Sequence, residues 1–222
     1  MSLNAELEAF YQARQQQIPP ATREIMTRAA EALAASGVAD RTLTAGDVAP
    51  SFTLPSATGQ SIALAERLAE GPVVLSFYRG AWCPYCNITL RALQQAHADI
   101  TARGAHLIAV SPQIPDESLS LAEKHQLGFD VLSDVGCVTA TDYGLSFDIG
   151  DELAELYDRL GFDFERVNAG HTRTLPLPAT FVIAPDRTIV WSFADADYTK
   201  RAEPADILAA LDKLGVVSPS GA

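Results

Sequence analysis

Trp82-Cys83-Pro84-Tyr85-Cys86 constrains this chain more than any other stretch, because of what stands on either side of it. Before it runs Pro72-Val73-Val74-Leu75-Ser76-Phe77-Tyr78, a short apolar segment rich in valine and aromatics that predicts a buried strand. After it Leu90, Leu93, His97 and Ile100 recur at helical spacing. The cysteines therefore fall at a strand-to-helix junction. Unpaired N–H groups and the positive end of the helix dipole favour an anion there, and with it thiolate over thiol. Pro84 suits the first helical turn, where its missing N–H costs nothing. This makes Cys83 the N-cap and Cys86 the third helical residue. Both sulfurs then lie within one turn, near enough to alternate between dithiol and disulfide, one attacking and the other resolving.

The rest of the chain supplies alternating elements. Helical patterns fill Leu3 to Gln17 and Pro20 to Ser36, divided by Pro19-Pro20 and ended by Gly37. This arm, residues 1–44, is expected to pack on the main body, with contacts in a homodimer as the alternative. Gly46 to Leu64 reads as an extended lead-in and a hairpin turning at Ala57-Thr58-Gly59, with a brief helix at Leu64 to Leu68. Beyond the cysteine helix come a strand at Ala105 to Val110, a helix from Asp116 to Leu127 and a strand at Phe129 to Leu132. Helices follow from Asp134 to Tyr143 and from Asp151 to Leu160, whereas Gly161 to Thr174 has no period and reads as an insertion or irregular loop. Pro178 to Ile183 and Thr188 to Phe193 flank Pro185-Asp186-Arg187 as a hairpin, and Pro204 to Leu214 is the closing helix. That order implies an α/β fold over residues 45–216, a central mixed sheet flanked by helices, with 217–222 as a tail.

Sixteen basic against 28 acidic side chains leave a net charge of −12, which argues against a nucleic-acid partner. No stretch approaches a membrane span and Met1 to Glu8 lacks a secretory pattern, so no membrane association and a cytoplasmic location are expected. Three cysteines are too few for a disulfide framework, and in a reducing compartment a Cys-x-x-Cys pair is catalytic or metal-binding. Zinc needs four ligands, and His97, His106, His125 and His171 are scattered, so neither a metal nor a cofactor is called for.

Several motifs in order resemble the AhpC/TSA family, the peroxiredoxin branch of the thioredoxin fold, over about residues 45 to 214. They are Gly46-Asp47-x-Ala49-Pro50-x-Phe52-x-Leu54, the strand ending Phe77-Tyr78, Leu132-Ser133-Asp134 before a helix ending Tyr143-Gly144, and Thr180-Phe181-Val182-Ile183. In the peroxiredoxin register Arg79 stands at the usual proline, Cys83 at the usual threonine and Cys86 at the peroxidatic cysteine. The arginine that normally precedes Thr-Phe-Val-Ile is replaced by Pro178. In the thioredoxin register the same residues form Trp-Cys-x-x-Cys, Pro178 falls at the cis-proline, and Cys83 becomes the nucleophile with Cys86 resolving. Cys-Pro-Tyr-Cys also matches the dithiol glutaredoxin motif. The chain thus resembles the peroxiredoxin-like proteins, a peroxiredoxin body around a thioredoxin-type pair.

The pair Cys83 and Cys86 is accordingly assigned redox chemistry, next to an exposed loop at Arg79-Gly80-Ala81. Arg79 either lowers a thiolate pKa and polarises a peroxide or is a solvated loop residue. Trp82 and Tyr85 frame a substrate surface or simply pack. Ser76 occupies the position where thioredoxins hold a buried acid. Cys137 is read as a structural thiol, and Tyr198-Thr199-Lys200-Arg201 as a segment able to supply an arginine from a new position. Thiol–disulfide exchange is the first reading, fed by a thioredoxin- or glutathione-type reductant. Its rival is a peroxidase acting on hydrogen peroxide or alkyl hydroperoxides. A cluster-binding or non-catalytic module is the third.

Overall fold

The computed structural model describes residues 1–118, 120 and 126–215. Its centre is β3 (Val73–Phe77), whose five residues are all buried, as a strand covered on both faces must be. Side chains alternate across it. Val73, Leu75 and Phe77 face one core with Tyr143, Phe181 and Ile183, while Val74 faces the other with Leu93, Ile100, Val182 and Ile207. Rings of Phe77, Tyr143 and Phe181 meet at centroid distances of 5.2, 6.2 and 5.2 Å and close the first core.

Around β3 are β4 (His106–Ser111), β5 (Asp130–Ser133), β8 (Ala179–Ile183) and β9 (Ile189–Ala194), in the order β5-β4-β3-β8-β9. The pairs β3–β4 and β4–β5 are parallel and β3–β8 and β8–β9 antiparallel, so the sheet is mixed. Two small antiparallel sheets flank it, the hairpin of β1 (Thr53–Pro55) with β2 (Ser61–Ala63) and the long-range pair of β6 (Ser146–Asp148) with β7 (Thr174–Pro176). Helix α4 (Pro84–Ala102) and the closing helix Pro204–Lys213 contribute Leu93, Ile100, Ile207 and Leu211 to one face. Among the described residues no helix is long and apolar enough to cross a membrane.

The N-terminal helices α1 (Leu3–Gln15) and α2 (Pro20–Ala35) sit differently. α1 buries Leu3 and Leu7 against Tyr78, Cys83, Tyr85 and Cys86. Its first N–H groups, at Leu3 and Asn4, donate to the Glu203 carboxylate at 2.9 and 2.7 Å. These bonds outweigh partial burial and hold Glu203 below the usual carboxylate value. Asn4 also brackets the Arg201 backbone, Nδ2 donating to its carbonyl at 2.8 Å and Oδ1 accepting its N–H at 3.1 Å. α2 buries none of its residues, and Arg28 ties it at 2.5 Å to Glu152 on helix Asp151–Arg159.

Three expectations change. The helix expected from Asp134 begins at Val138, because Cys137 is left-handed (φ 58°) and Asp134 caps from a distance, accepting Thr139 and Ala140 N–H at 2.9 and 2.8 Å. Of the helix expected over Asp116–Leu127, residues 115–118 and 120 are helical; 119 and 121–125 lie outside the described residues, as does the tail 217–222. Gln126, with φ 51°, is already in a turn. The stretch read as irregular holds a four-residue helix, Phe164–Val167, too short to register as a period, and the start of β7.

Candidate active site

The turn between β3 and α4 brings the cysteines together. Cys83 is the N-cap of α4, and its carbonyl accepts the Asn87 N–H at 3.1 Å. The loop leading into it is buried rather than exposed, with Arg79 at 4 % relative exposure. Gly80 permits this path at φ 142°, where an added Cβ would stand 2.5 Å from Trp82 Nε1. Gln113 accepts the next N–H, that of Ala81, at 2.5 Å. Gly80→Ala is expected to cost about 1–3 kcal/mol through strain and displacement of Trp82. Urea unfolding of the reduced protein measures this; a midpoint equal to the parent's would refute the account.

Arg79 is buried because aromatic faces replace its water. Its guanidinium carbon lies 4.8 Å from the Trp82 ring centroid, 4.8 Å from that of Tyr198 and 5.8 Å from that of Tyr157, and Nη2 donates to the Tyr157 hydroxyl at 2.6 Å. Burial works against its charge, but Tyr157, Cys83 and Cys86 raise its pKa above the ordinary arginine value. Phe162 and Phe164, from the stretch without sequence period, pack on Trp82 at 5.2 and 5.0 Å and complete the wall.

A second guanidinium arrives from outside the loop. Arg201, 5 % exposed, donates from Nη2 to Cys86 Sγ at 3.7 Å, with Nη1 held by the carbonyls of Tyr198 and Lys200. It comes from the segment after β9, not from the position that Pro178 holds. Cys86 and Cys83 are both free and buried, at 0 and 1 % exposure. Burial disfavours ionisation of Cys86, yet the Cys83 thiol, Arg201, the Arg79 backbone and the Arg79 charge together pull its pKa below the ordinary thiol value. The hydrogen bond to Cys86, then burial, pushes Cys83 the other way. The two opposite shifts favour the anion on Cys86 and the proton on Cys83.

A cleft of ≈ 200 Å³ reaches this centre, lined by Arg79, Trp82, Cys83, Tyr85 and by Arg14 and Met26 of the arm. Cys83 lines the cleft and Cys86 does not. Tyr85 is held edge-on by Phe10 at 5.2 Å and Tyr198 at 5.5 Å. Pro178 is not in this cleft but beyond Arg79, in a second cavity. The described residues contain no cis peptide bond, which corrects the cis-proline expected at Pro178. The chain runs extended from β7 into β8, with both strands paired, and the Leu177 N–H donates to Leu145 across that junction.

Other expected residues sit apart. Cys137 is buried, donates weakly to the Thr174 carbonyl at 3.7 Å, and is pushed up to about 12 by burial and then by Asp134. Ser76, also buried, accepts from Thr180 at 3.3 Å. His97 is half-buried against Phe129, and exposed His171 lies over Gly136. Tyr157 was missed as a site residue. Its only signal was its place on the apolar side of the helix after Asp151.

The pattern of the AhpC/TSA family matches residues 45–192. A Mycobacterium tuberculosis peroxiredoxin is 32 % identical over 102 residues, 46 % of this chain and 64 % of that protein. Peroxiredoxin Bcp of Escherichia coli is 29 % identical over 103 residues, 46 % of this chain and 65 % of that protein. The matches thus span less than two-thirds of either relative's length. Among solved structures, peroxidoxin BcpB of Mycobacterium tuberculosis shares the fold with a TM-score of 0.61 at 23 % identity, covering 78 % of this chain and 98 % of its own. With the family pattern spanning the sheet, the cysteine turn and the β8–β9 hairpin, the chain belongs to the AhpC/TSA family.

Proposed function

We propose that this chain is a thiol peroxidase in which Cys86 attacks the peroxide and Cys83 resolves. The observation that carries the reading is the pair of guanidinium groups around a buried cysteine whose thiolate is favoured, Arg201 on its sulfur and Arg79 beside it. The Cys86 thiolate attacks the outer oxygen of a hydroperoxide, an S–O bond forms, the O–O bond breaks, and the leaving oxygen departs with a proton as water or alcohol. Arginines near the developing negative charge stabilise that step. Cys83 sulfur then attacks the sulfenic sulfur, water leaves, and a disulfide remains for an external dithiol to reduce. Kinship with peroxiredoxins over the family-matched region favours this reading over thiol–disulfide exchange.

Access argues the same way. Both sulfurs are buried and the cleft holds only a small molecule, which suits a hydroperoxide as oxidant and a small thiol or dithiol as reductant better than a protein disulfide. One equivalent of hydrogen peroxide added to the reduced protein is expected to remove two thiols rapidly, with a mass loss of two hydrogens. A rate no greater than that of a free thiol, alongside fast reduction of a model protein disulfide, would reverse the assignment.

A further inference from the structure

Helix α2 carries Met26, Ala29, Ala30 and Leu33 at i, i+3, i+4 and i+7, an apolar stripe that is only half-buried, with Met26 and Leu33 packing in part against the adjoining cores. Beneath the stripe is a cavity of ≈ 480 Å³, walled opposite by Phe147 and Leu153 and ending at Arg79, Tyr157 and Tyr198. Its mouth holds one exposed charge of each sign, Arg41 and Asp148, which offset each other. The inner end is different. There Arg79 is buried, and it forms no ion pair with a carboxylate among the described residues. Arg79 Nε, fully buried, has no hydrogen-bond partner.

We infer that this chamber is a binding site for an apolar-tailed monocarboxylate, its carboxylate at Arg79 and its tail along the α2 stripe. Each half of the ligand answers one feature. A guanidinium without a carboxylate in low dielectric favours a planar anion that accepts two hydrogen bonds. An apolar stripe over an apolar wall favours a chain that removes both from water. Neither a small anion nor a neutral alcohol satisfies both. Such a ligand shares Arg79 with the cysteine cleft, which Arg79 also lines, so it competes with whatever that cleft admits.

The test uses the intact reduced protein with hexanoate, octanoate, octanol and acetate, followed by calorimetry and by tryptophan fluorescence in a Trp191→Phe background, which leaves Trp82 beside Arg79 as the reporter. Octanoate is expected to bind more tightly than hexanoate by about fourfold per added methylene. Octanol and acetate are each expected to bind at least about tenfold more weakly than octanoate, each lacking one of the two matched features. Leu33→Glu, on a half-buried residue of the cavity lining, should abolish octanoate binding, and Arg79→Met should erase the advantage of octanoate over octanol. Equal binding of octanol and octanoate to the wild type overturns the inference without any variant, as does octanoate binding unchanged by Leu33→Glu. These readouts do not depend on the peroxidase reading. A protein inert to peroxide that still binds octanoate in this pattern loses that reading and keeps the site.

Discussion

Cys86→Ser is expected to abolish the fast peroxide reaction, by at least about 10³-fold in a single turnover, as removal of an attacking nucleophile does. Cys83→Ser is expected to keep the first step within about tenfold and to stop there, accumulating a sulfenic acid on Cys86 that a dimedone-type trap captures. The asymmetry follows from the pair's geometry. The Cys83 thiol favours the anion on Cys86 as a hydrogen-bond donor, a role a serine hydroxyl can take over, whereas Cys83→Ala removes the donor and should raise the Cys86 thiol value. Serine at Cys83 also restores a hydroxyl where the peroxiredoxin register has threonine. The opposite outcome, a sulfenic acid trapped on Cys83 in Cys86→Ser and a dead Cys83→Ser, would assign attack to Cys83 and restore the thioredoxin register.

Arg201→Met should be the next most damaging change, slowing the peroxide step at neutral pH by about 10²–10³-fold, the range for losing one preorganised donor to a developing anion. Two effects combine. The thiolate loses its nearest guanidinium, at 3.7 Å, so the pH at which Cys86 is half-alkylated should move up toward the ordinary thiol value, and the leaving oxygen loses a positive charge. Arg201→Lys should recover part of the pH shift but less of the rate, because lysine keeps the charge without the fork. An unchanged alkylation profile in Arg201→Met would remove Arg201 from the account.

The same shifts give the reduced protein a signed pH dependence. Cys86, lowered on folding, contributes stability that is present above the ordinary thiol value and lost as pH falls through its folded value. Cys83, raised on folding, contributes stability that is present below the ordinary value and lost as pH rises through its folded value. Arg201→Met should shrink the first contribution. In the disulfide form neither sulfur titrates, and both contributions vanish.

The β3 strand, the cysteine turn, α4 and the β8–β9 hairpin were legible because each is written in local spacing: a five-residue apolar run, a proline at the first helical position, two strands about a turn. Local spacing also carried both cysteines and Arg79 into the site. It could not say that Arg79 is buried, because the rings that shelter it come from Trp82, Tyr157 and Tyr198, up to 119 positions away along the chain, and cation–π contact leaves no periodic trace.

Which cysteine holds the negative charge was likewise outside the reach of sequence. A Cys-x-x-Cys turn offers both sulfurs to the same helix N-terminus. Cys86 is favoured by the Cys83 thiol and then by Arg201, a residue 115 positions beyond it that is held in register by Asn4 at the other end of the chain. Sequence alone determined a Cys-x-x-Cys pair on a strand-to-helix turn, since that needs only neighbours. Tertiary structure alone decided the electrostatics, since Coulombic and hydrogen-bonding terms depend on through-space distance and burial, which a linear order of residues does not contain.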